Sequence, residues 1–416
     1  MTTARNRVLL LVLLATGITY LDRVCIAAAA PSMSSDLGLS TMQMGLVFSA
    51  FALSYGLFEV PMGWLSDLWG QRQTATRIVA CWSAFTVLTG LVRGYAALVA
   101  VRFLFGAAEA GAFPTLARVL ARWFPLAERG RVIGLMWMGA RIGGSLAPPL
   151  AVLLISAAGW RATFVLFGLV GMVWSAVFWI WFRDDPAEHR SVNAAELAYI
   201  RGKASSHDSA PAGSTPWRRI FSSGSLWALF GMYFATSYGF YFLVTWLPTY
   251  LIREHGLSLQ QAGFYSGIPL AVGALACLAG GLLSDWLVRR TGSVKWGRRL
   301  VGIGGYTLAA LGYALAAMVE GPLPSVISLS LASGAMDMAV PVAWATSVEL
   351  GGRFGGTTSG FMNMASSISA MISPLAAAWL FQRFGSFGPM FASAAAVYFL
   401  AGLLWFWINP STPVTD

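Results

Sequence analysis

The sequence predicts an all-α membrane protein of twelve transmembrane helices in two pseudo-symmetric six-helix bundles, and three observations lead there. Of 416 residues, 57% are hydrophobic and only 11% charged, with a mean hydropathy of +0.67. A soluble domain of this size would lack the polar surface to cover itself. Apolar windows of about 20 residues, the length that crosses the hydrocarbon core, recur along the whole chain. One motif also occurs twice, 218 positions apart: Gly63-Trp64-Leu65-Ser66-Asp67 and Gly281-Leu282-Leu283-Ser284-Asp285 both read G-x-L-S-D. Each copy closes an apolar, helix-length segment and each precedes a basic stretch. A repeat this long at matching points of two hydrophobic halves signals a duplicated bundle.

The windows fall in order at 7–30, 42–63, 73–92, 96–120, 131–155, 161–182, 226–247, 262–283, 301–319, 325–346, 357–380 and 389–408. The first holds Asp22 and Arg23 and has no small-residue cleavage signature, so it reads as a retained helix and not a signal peptide. The second and eighth each run into a copy of the motif. Glycine-rich runs at 139–145 and 351–360 suit close helix packing in lipid, and neither ends in the G-K-[ST] of a phosphate loop. Between the sixth and seventh windows lies the one long polar stretch, 183–219. It is expected to be a cytoplasmic linker with a short amphipathic helix near residues 193–202, separating an N-terminal bundle (1–182) from a C-terminal bundle with a short tail (220–416). The linker's His and acidic residues come with no metal-ligand spacing and no nucleophile motif, so no catalytic function, cofactor or metal is expected.

Net charge is +10, but its distribution argues against nucleic acid. With the N-terminus inside, Arg5, Arg7, Arg72, Arg77, Arg118, Arg122, Arg129, Arg131, the basic residues of the linker, those at 289–299 and Arg353 all fall on the cytoplasmic side. The other side receives Arg93, Arg161, Arg253 and Arg383. This asymmetry places both termini in the cytoplasm of a cell (inner) membrane protein. Cys25, Cys81 and Cys277 all lie inside expected helices, where they read as small packing residues and not as a disulfide framework.

Four further motifs narrow the reading. They are Tyr20-Leu-Asp22-Arg23 in the first helix; Arg102-Phe-Leu-Phe-Gly106-Ala-Ala-Glu109-Ala-Gly-Ala-Phe-Pro114 in the fourth; Arg122-Trp-Phe-Pro125 followed by Glu128-Arg129-Gly130; and Tyr238-Gly-Phe-Tyr-Phe-Leu-Val-Thr-Trp-Leu-Pro248 in the seventh. With the helix count, the central loop and the paired G-x-L-S-D sites, the chain resembles the major facilitator superfamily over nearly its whole length. Within it the chain is similar to the anion:cation symporter family, which includes bacterial sugar-acid/proton symporters and the sialic acid and vesicular glutamate transporters.

The charged residues inside the helices carry the chemistry. A charge in mid-membrane costs several kcal/mol unless it is paired, faces water or serves function. The first half concentrates such residues in Asp22, Arg23, Arg102, Glu109 and Arg141. Arg102 and Glu109 stand seven apart, two turns along one helix face, so both can reach one cavity. Asp22 and Arg23 diverge by about 100° around their helix, so they face different neighbours. A purely structural ion-pair network is the rival reading. A buried carboxylate can take up a proton on one side and release it on the other, and the resemblance implies proton coupling at Asp22 and Glu109. A guanidinium suits bidentate recognition of a substrate carboxylate. The resemblance implies that role for Arg23, with Arg102 as the coupling partner near Glu109. Tyr20 and Tyr55 can offer hydroxyls to a polyol-like substrate, although lone tyrosines more often pack. In the second half, Asn363 and Trp344 match substrate-contacting positions of the family. Tyr241 belongs to an aromatic stripe in the seventh helix whose alternatives are packing and a substrate platform. Asp337 in the tenth window has no assigned role.

Arg141 departs from the family, whose sugar-acid members often carry a neutral amide near that point. An extra cation would favour a more anionic ligand, unless a local acid balances it. Asp67, Arg72 and Asp285 are expected to form gating contacts at cytoplasmic helix ends, with loop arginines and a neighbouring helix terminus as partners. A static role for Asp285 is the alternative, because its motif lacks the Gly70 and Arg72 tail of the first copy. The expected function is proton-coupled symport of a small organic anion such as a hexonate, hexuronate or aldarate, by a protein working as a monomer in the lipid bilayer. The alternatives are a drug or metabolite antiporter or effluxer on the same fold, and a membrane sensor that transports nothing.

Overall fold

Ser40 and Ser258 open helices in the same way. Each accepts a hydrogen bond from the backbone N–H three residues on, at 3.2 Å, while Gln43 and Gln261 reach back to the serine N–H at 2.9 and 3.1 Å. These capping boxes satisfy two N-terminal donors apiece. Like the two motif copies, they lie 218 positions apart, so the repeat reaches the helix starts as well as their ends.

The computed structural model describes residues 4–201 and 215–414, without the side chains of residues 24, 41, 244, 259 and 260. The described residues are helical, with no strand among them. The helices are α1 (Ala4–Leu37), α2 (Thr41–Trp69), α3 (Gln71–Leu91), α4 (Tyr95–Glu109), α5 (Ala112–Trp123), α6 (Arg129–Trp181), α7 (Ala194–Arg201), α8 (Trp217–Ser222), α9 (Gly224–His255), α10 (Leu259–Thr291), α11 (Val294–Ala316), α12 (Pro322–Gly351), α13 (Gly355–Phe384) and α14 (Gly388–Leu404). The long ones give twelve spans once two features are recognised. Gly159, at φ +81°, breaks α6 into the fifth and sixth spans. In turn, α4 and α5 together make the fourth, interrupted at residues 110–111. Pro114 explains that interruption, because it has no N–H to donate to the Ala110 carbonyl four residues back. Pro248 acts alike in α9, whose two parts, Gly224–Leu243 and Thr245–His255, meet at 44°.

The helices fall into two compact units. Unit 1 takes residues 4–126, 139–201 and Arg353–Gly360; unit 2 takes Ala127–Met138, 215–352 and 361–414. In unit 1, α4 packs on α2 and α3, and in unit 2, α12 packs on α10 and α11, so the same partners recur in the two repeats. Large apolar side chains such as Leu57, Leu153, Leu275 and Leu375 stand exposed on the helices. Water would not tolerate so many, whereas lipid does.

The described part of the linker is packed. Helix α7 forms where the short amphipathic helix is expected, and its Glu196 accepts a hydrogen bond from the Arg5 N–H at 3.1 Å. His189 lies between Trp123 and Trp181, with Nε2 3.1 Å from the Trp181 carbonyl and Nδ1 accepting from Ser191 N–H at 3.1 Å. Its burial holds the imidazole pKa below the usual value, which disfavours the charged form of this packed histidine. Lys203, His207 and Asp208 lie outside the described residues.

Candidate functional site

Unit 1 buries a cluster of charges contributed by α1 and α4. From α1, Arg23 reaches Glu109 at the end of α4, with Nη2 at 2.8 Å and Nε at 3.1 Å from the same oxygen, Oε1. Glu109 is fully buried, and its other oxygen, Oε2, accepts no hydrogen bond among the described residues. Around the Arg23 guanidinium stand the rings of Tyr55 at 4.6 Å, Phe51 at 5.3 Å and Tyr20 at 5.7 Å. Such faces stabilise a cation without neutralising it. The two arginine donors on one carboxylate oxygen are the pair that a planar guanidinium would otherwise offer to a bidentate acid.

Arg102 shares a face of α4 with Glu109, as their spacing suggests, but does not pair with it. Its guanidinium packs over the rings of Phe105 (4.3 Å) and Phe51 (5.2 Å), and it makes no ion pair among the described residues. Seven helical residues span about 10 Å along the axis. The two side chains therefore share a face without touching, and Arg23 from α1 takes the carboxylate. Asp22, one residue away on α1, faces Trp82 and Thr86 of α3; neither of its oxygens reaches hydrogen-bond geometry among the described residues. The roughly 100° turn between neighbouring residues sends Asp22 and Arg23 to different helices, as the sequence suggests. Tyr20 packs edge-on to Phe113 at 6.4 Å and against Gly144 of α6. Arg141, on the same helix as Gly144, is half-buried.

In unit 2 the residues singled out from sequence lie on α9, α12 and α13. Trp344 is buried in α12; its indole N–H donates to the Tyr233 hydroxyl at 2.7 Å, and its ring packs on Trp137 at 5.5 Å. Asn363 is buried in α13, Tyr241 is half-buried in α9 beside Phe240, and Asp337 is fully buried in α12 opposite Gly273 of α10.

Both G-x-L-S-D aspartates cap a helix. Asp67 accepts from Gly356 N–H at 2.9 Å, Thr357 N–H at 2.7 Å and the Thr357 hydroxyl at 2.6 Å, at the start of α13, and it pairs with Arg118. Asp285 accepts from Gly130 and Arg131 N–H at 3.0 and 2.6 Å, at the start of α6, and pairs with Arg298 at 2.9 Å. Arg298 continues to Glu349 at 2.9 Å. A negative charge on a helix N-terminus meets free N–H groups and the positive end of the dipole. The motif glycines have a matching purpose. A Cβ at Gly63 would strike the Gly356 carbonyl, and one at Gly281 the Gly130 carbonyl, so only glycine lets the capped helix come close enough.

Arg72 is not the arginine that meets Asp67. It donates to the Trp179 carbonyl at 2.9 and 2.6 Å and stacks over the Trp179 ring at 4.2 Å, while Asp184 caps the start of α3. Arg118 and Arg298 entered the sequence reading only as cytoplasmic-side charges, and Glu349 and the buried Glu59 of α2 were passed over. Glu59 carried the available signal, being an acid inside an apolar window.

Comparison with known proteins follows the same lines. Residues 12–374 match the Major Facilitator Superfamily. A probable sulfoacetate transporter of Cupriavidus necator is 34% identical over 98% of this chain and 94% of its own. The chain belongs to the Major Facilitator Superfamily. A probable galactarate/D-glucarate transporter of Escherichia coli is 30% identical (93% and 89% covered), and a hexuronate transporter of Bacillus subtilis 28% (95% and 92%). Among solved structures, a human organic anion transporter superposes with a TM-score of 0.75 at 16% identity, covering 97% of this chain and 100% of the other. A proton:xylose symporter does so at 0.76 and 15%, covering 97% and 96%. These superpositions show the shared fold. Like the rest of the superfamily, the protein is a multi-pass membrane transporter and not an enzyme.

Proposed function

We propose that this superfamily member is a proton-coupled symporter that imports a small organic anion by alternating access, with sugar acids (hexonates, hexuronates, aldarates) or related carboxylates as the substrate class. The observation that carries the reading is the Arg23–Glu109 pair. Glu109 Oε1 holds two Arg23 donors that a substrate carboxylate would also use. Protonating Glu109 removes its claim on Arg23 and frees the fork for the incoming anion. The anion, once bound, favours the protonated acid in return, because the coupling of two ligands is reciprocal. Asp22 is the second proton-coupling carboxylate, and Arg102 keeps the buried site cationic when the acids are neutral. Arg141, the hydroxyls of Tyr20 and Tyr55, and Tyr241, Trp344 and Asn363 are the further residues proposed to contact substrate.

The names of the relatives support the class, since sulfoacetate, galactarate, glucarate and hexuronate are all organic anions. Asp67 and Asp285 serve as gates: each capping contact releases its helix start during the cycle, while Arg72 holds α3 to the end of α6. The protein works as a monomer in the inner membrane with both termini cytoplasmic. Efflux of cationic drugs is the weaker reading, because two arginines line the buried cluster.

A thermal-shift screen of purified protein with hexonates, hexuronates, aldarates, sulfoacetate and aromatic acids identifies the anion. In proteoliposomes its uptake is expected to rise with an inward proton gradient and collapse with a protonophore. Uptake that ignores the proton gradient and follows sodium overturns the coupling assignment.

A further inference from the structure

One cavity in unit 2 has no part in the reading above. It encloses about 520 Å³ where α9 ends, within the 300–1,000 Å³ usual for small-molecule sites. Its walls come from the last turns of α9, the link between α11 and α12, and the start of α14. The floor is aromatic. Tyr250 is buried and meets the buried rings of Phe387 and Phe391 edge-to-face at 5.1 and 4.9 Å. The polar atoms of the floor are satisfied, since the Tyr250 hydroxyl donates to Ser325 Oγ at 2.9 Å and lies 3.0 Å from His255 Nε2. The rim carries two exposed carboxylates, Glu254 and Glu320. No lysine or arginine lines the cavity; Arg253 turns instead towards Phe381, 5.7 Å from its ring. In a chain of net charge +10, this is an acidic site with an apolar floor.

We propose that the cavity binds a small organic ammonium ion carrying an apolar group. The apolar part lies on the Tyr250, Phe387 and Phe391 rings, and the ammonium sits at the rim near Glu254 and Glu320, where carboxylates and ring faces both attract a cation. An organic anion, the class proposed for transport, is repelled by the same carboxylates, so the two sites select opposite charges. A metal ion is a poor occupant, because among the described residues no three His, Cys, Asp or Glu side chains are grouped to hold one. The assignment does not depend on what the protein transports.

Isothermal titration calorimetry on the full chain in neutral-lipid nanodiscs tests it, with 2-phenylethylammonium as probe and phenylacetate and magnesium as controls. The ammonium is expected to bind and the two controls not. The double variant Glu254→Gln/Glu320→Gln is expected to lose at least tenfold in affinity, and salt to weaken wild-type binding. Both glutamates are exposed, so the variant should melt at the wild-type temperature. Absence of ammonium binding, equal binding of phenylacetate, or unchanged affinity in the double variant overturns the proposal; the first two outcomes require no mutant.

Discussion

Glu109 holds Arg23 through one oxygen while its second oxygen accepts no hydrogen bond among the described residues, and that asymmetry makes Glu109→Gln informative. The amide imitates the protonated acid in size but cannot release a proton. Substrate binding and exchange between two pools should persist, concentrative uptake should vanish, and anion affinity should lose its rise at low pH. Binding measured across pH beside counterflow checks all three. A purely structural pair predicts something else, namely a loss of about 3–5 kcal/mol from a cation left without its buried partner, visible as a lower melting temperature with unchanged coupling. Arg23→Lys should bind substrate at least tenfold more weakly, because an ammonium cannot reproduce the planar fork; wild-type affinity in that variant removes Arg23 as the clamp. Sequence made Asp22, Arg23, Arg102 and Glu109 conspicuous, since a charge in an apolar window has few innocent explanations. It did not reveal who pairs with whom. Spacing along one helix put Arg102 and Glu109 on one face, and only the approach of α1 shows Arg23 taking the acid while Arg102 rests on Phe51 and Phe105.

At the scale of the element, the paired motifs were legible as sites but not as contacts. Their aspartates were expected at helix ends near arginines, which is where they lie. Their partners come from distant parts of the chain: Asp67 meets Arg118 and the start of α13, and Asp285 meets Arg298 and the start of α6. Arg72 was the nearest candidate in sequence, but the first turn of α3 carries it to Trp179. Two substitutions separate these roles. Arg118→Ala leaves Asp67 buried without its cation and should cost about 3–5 kcal/mol. Arg72→Ala, at a more exposed contact, should cost about 1 kcal/mol or less. Differential scanning calorimetry of the two variants in one detergent orders them, and equal destabilisation contradicts the pairing. Gly281→Ala should follow Arg118→Ala, because its methyl group meets the Gly130 carbonyl and drives the start of α6 off its cap.

At the scale of the molecule, hydropathy located all twelve spans because lipid permits little else than apolar helices of one length. It was blind to what interrupts them. The break after Glu109 and the bend in α9 follow from Pro114, inside the fourth window, and Pro248, just past the end of the seventh, each of which removes a backbone donor from an apolar helix. Sidedness rests on a different physics, the preference of lysine and arginine for the cytoplasmic face. It predicts that Ser191 in the linker and Ser411 in the tail face the cytoplasm, while Ser386, beside the acidic cavity, faces outward. All three are exposed or lie in loops, so cysteine at each should be tolerated. With Cys81, the one exposed native thiol, changed to serine, an impermeant maleimide should label Ser386→Cys in intact spheroplasts. Ser191→Cys and Ser411→Cys should label only after permeabilisation. The reverse pattern would invert the topology and put the ammonium site on the cytoplasmic face.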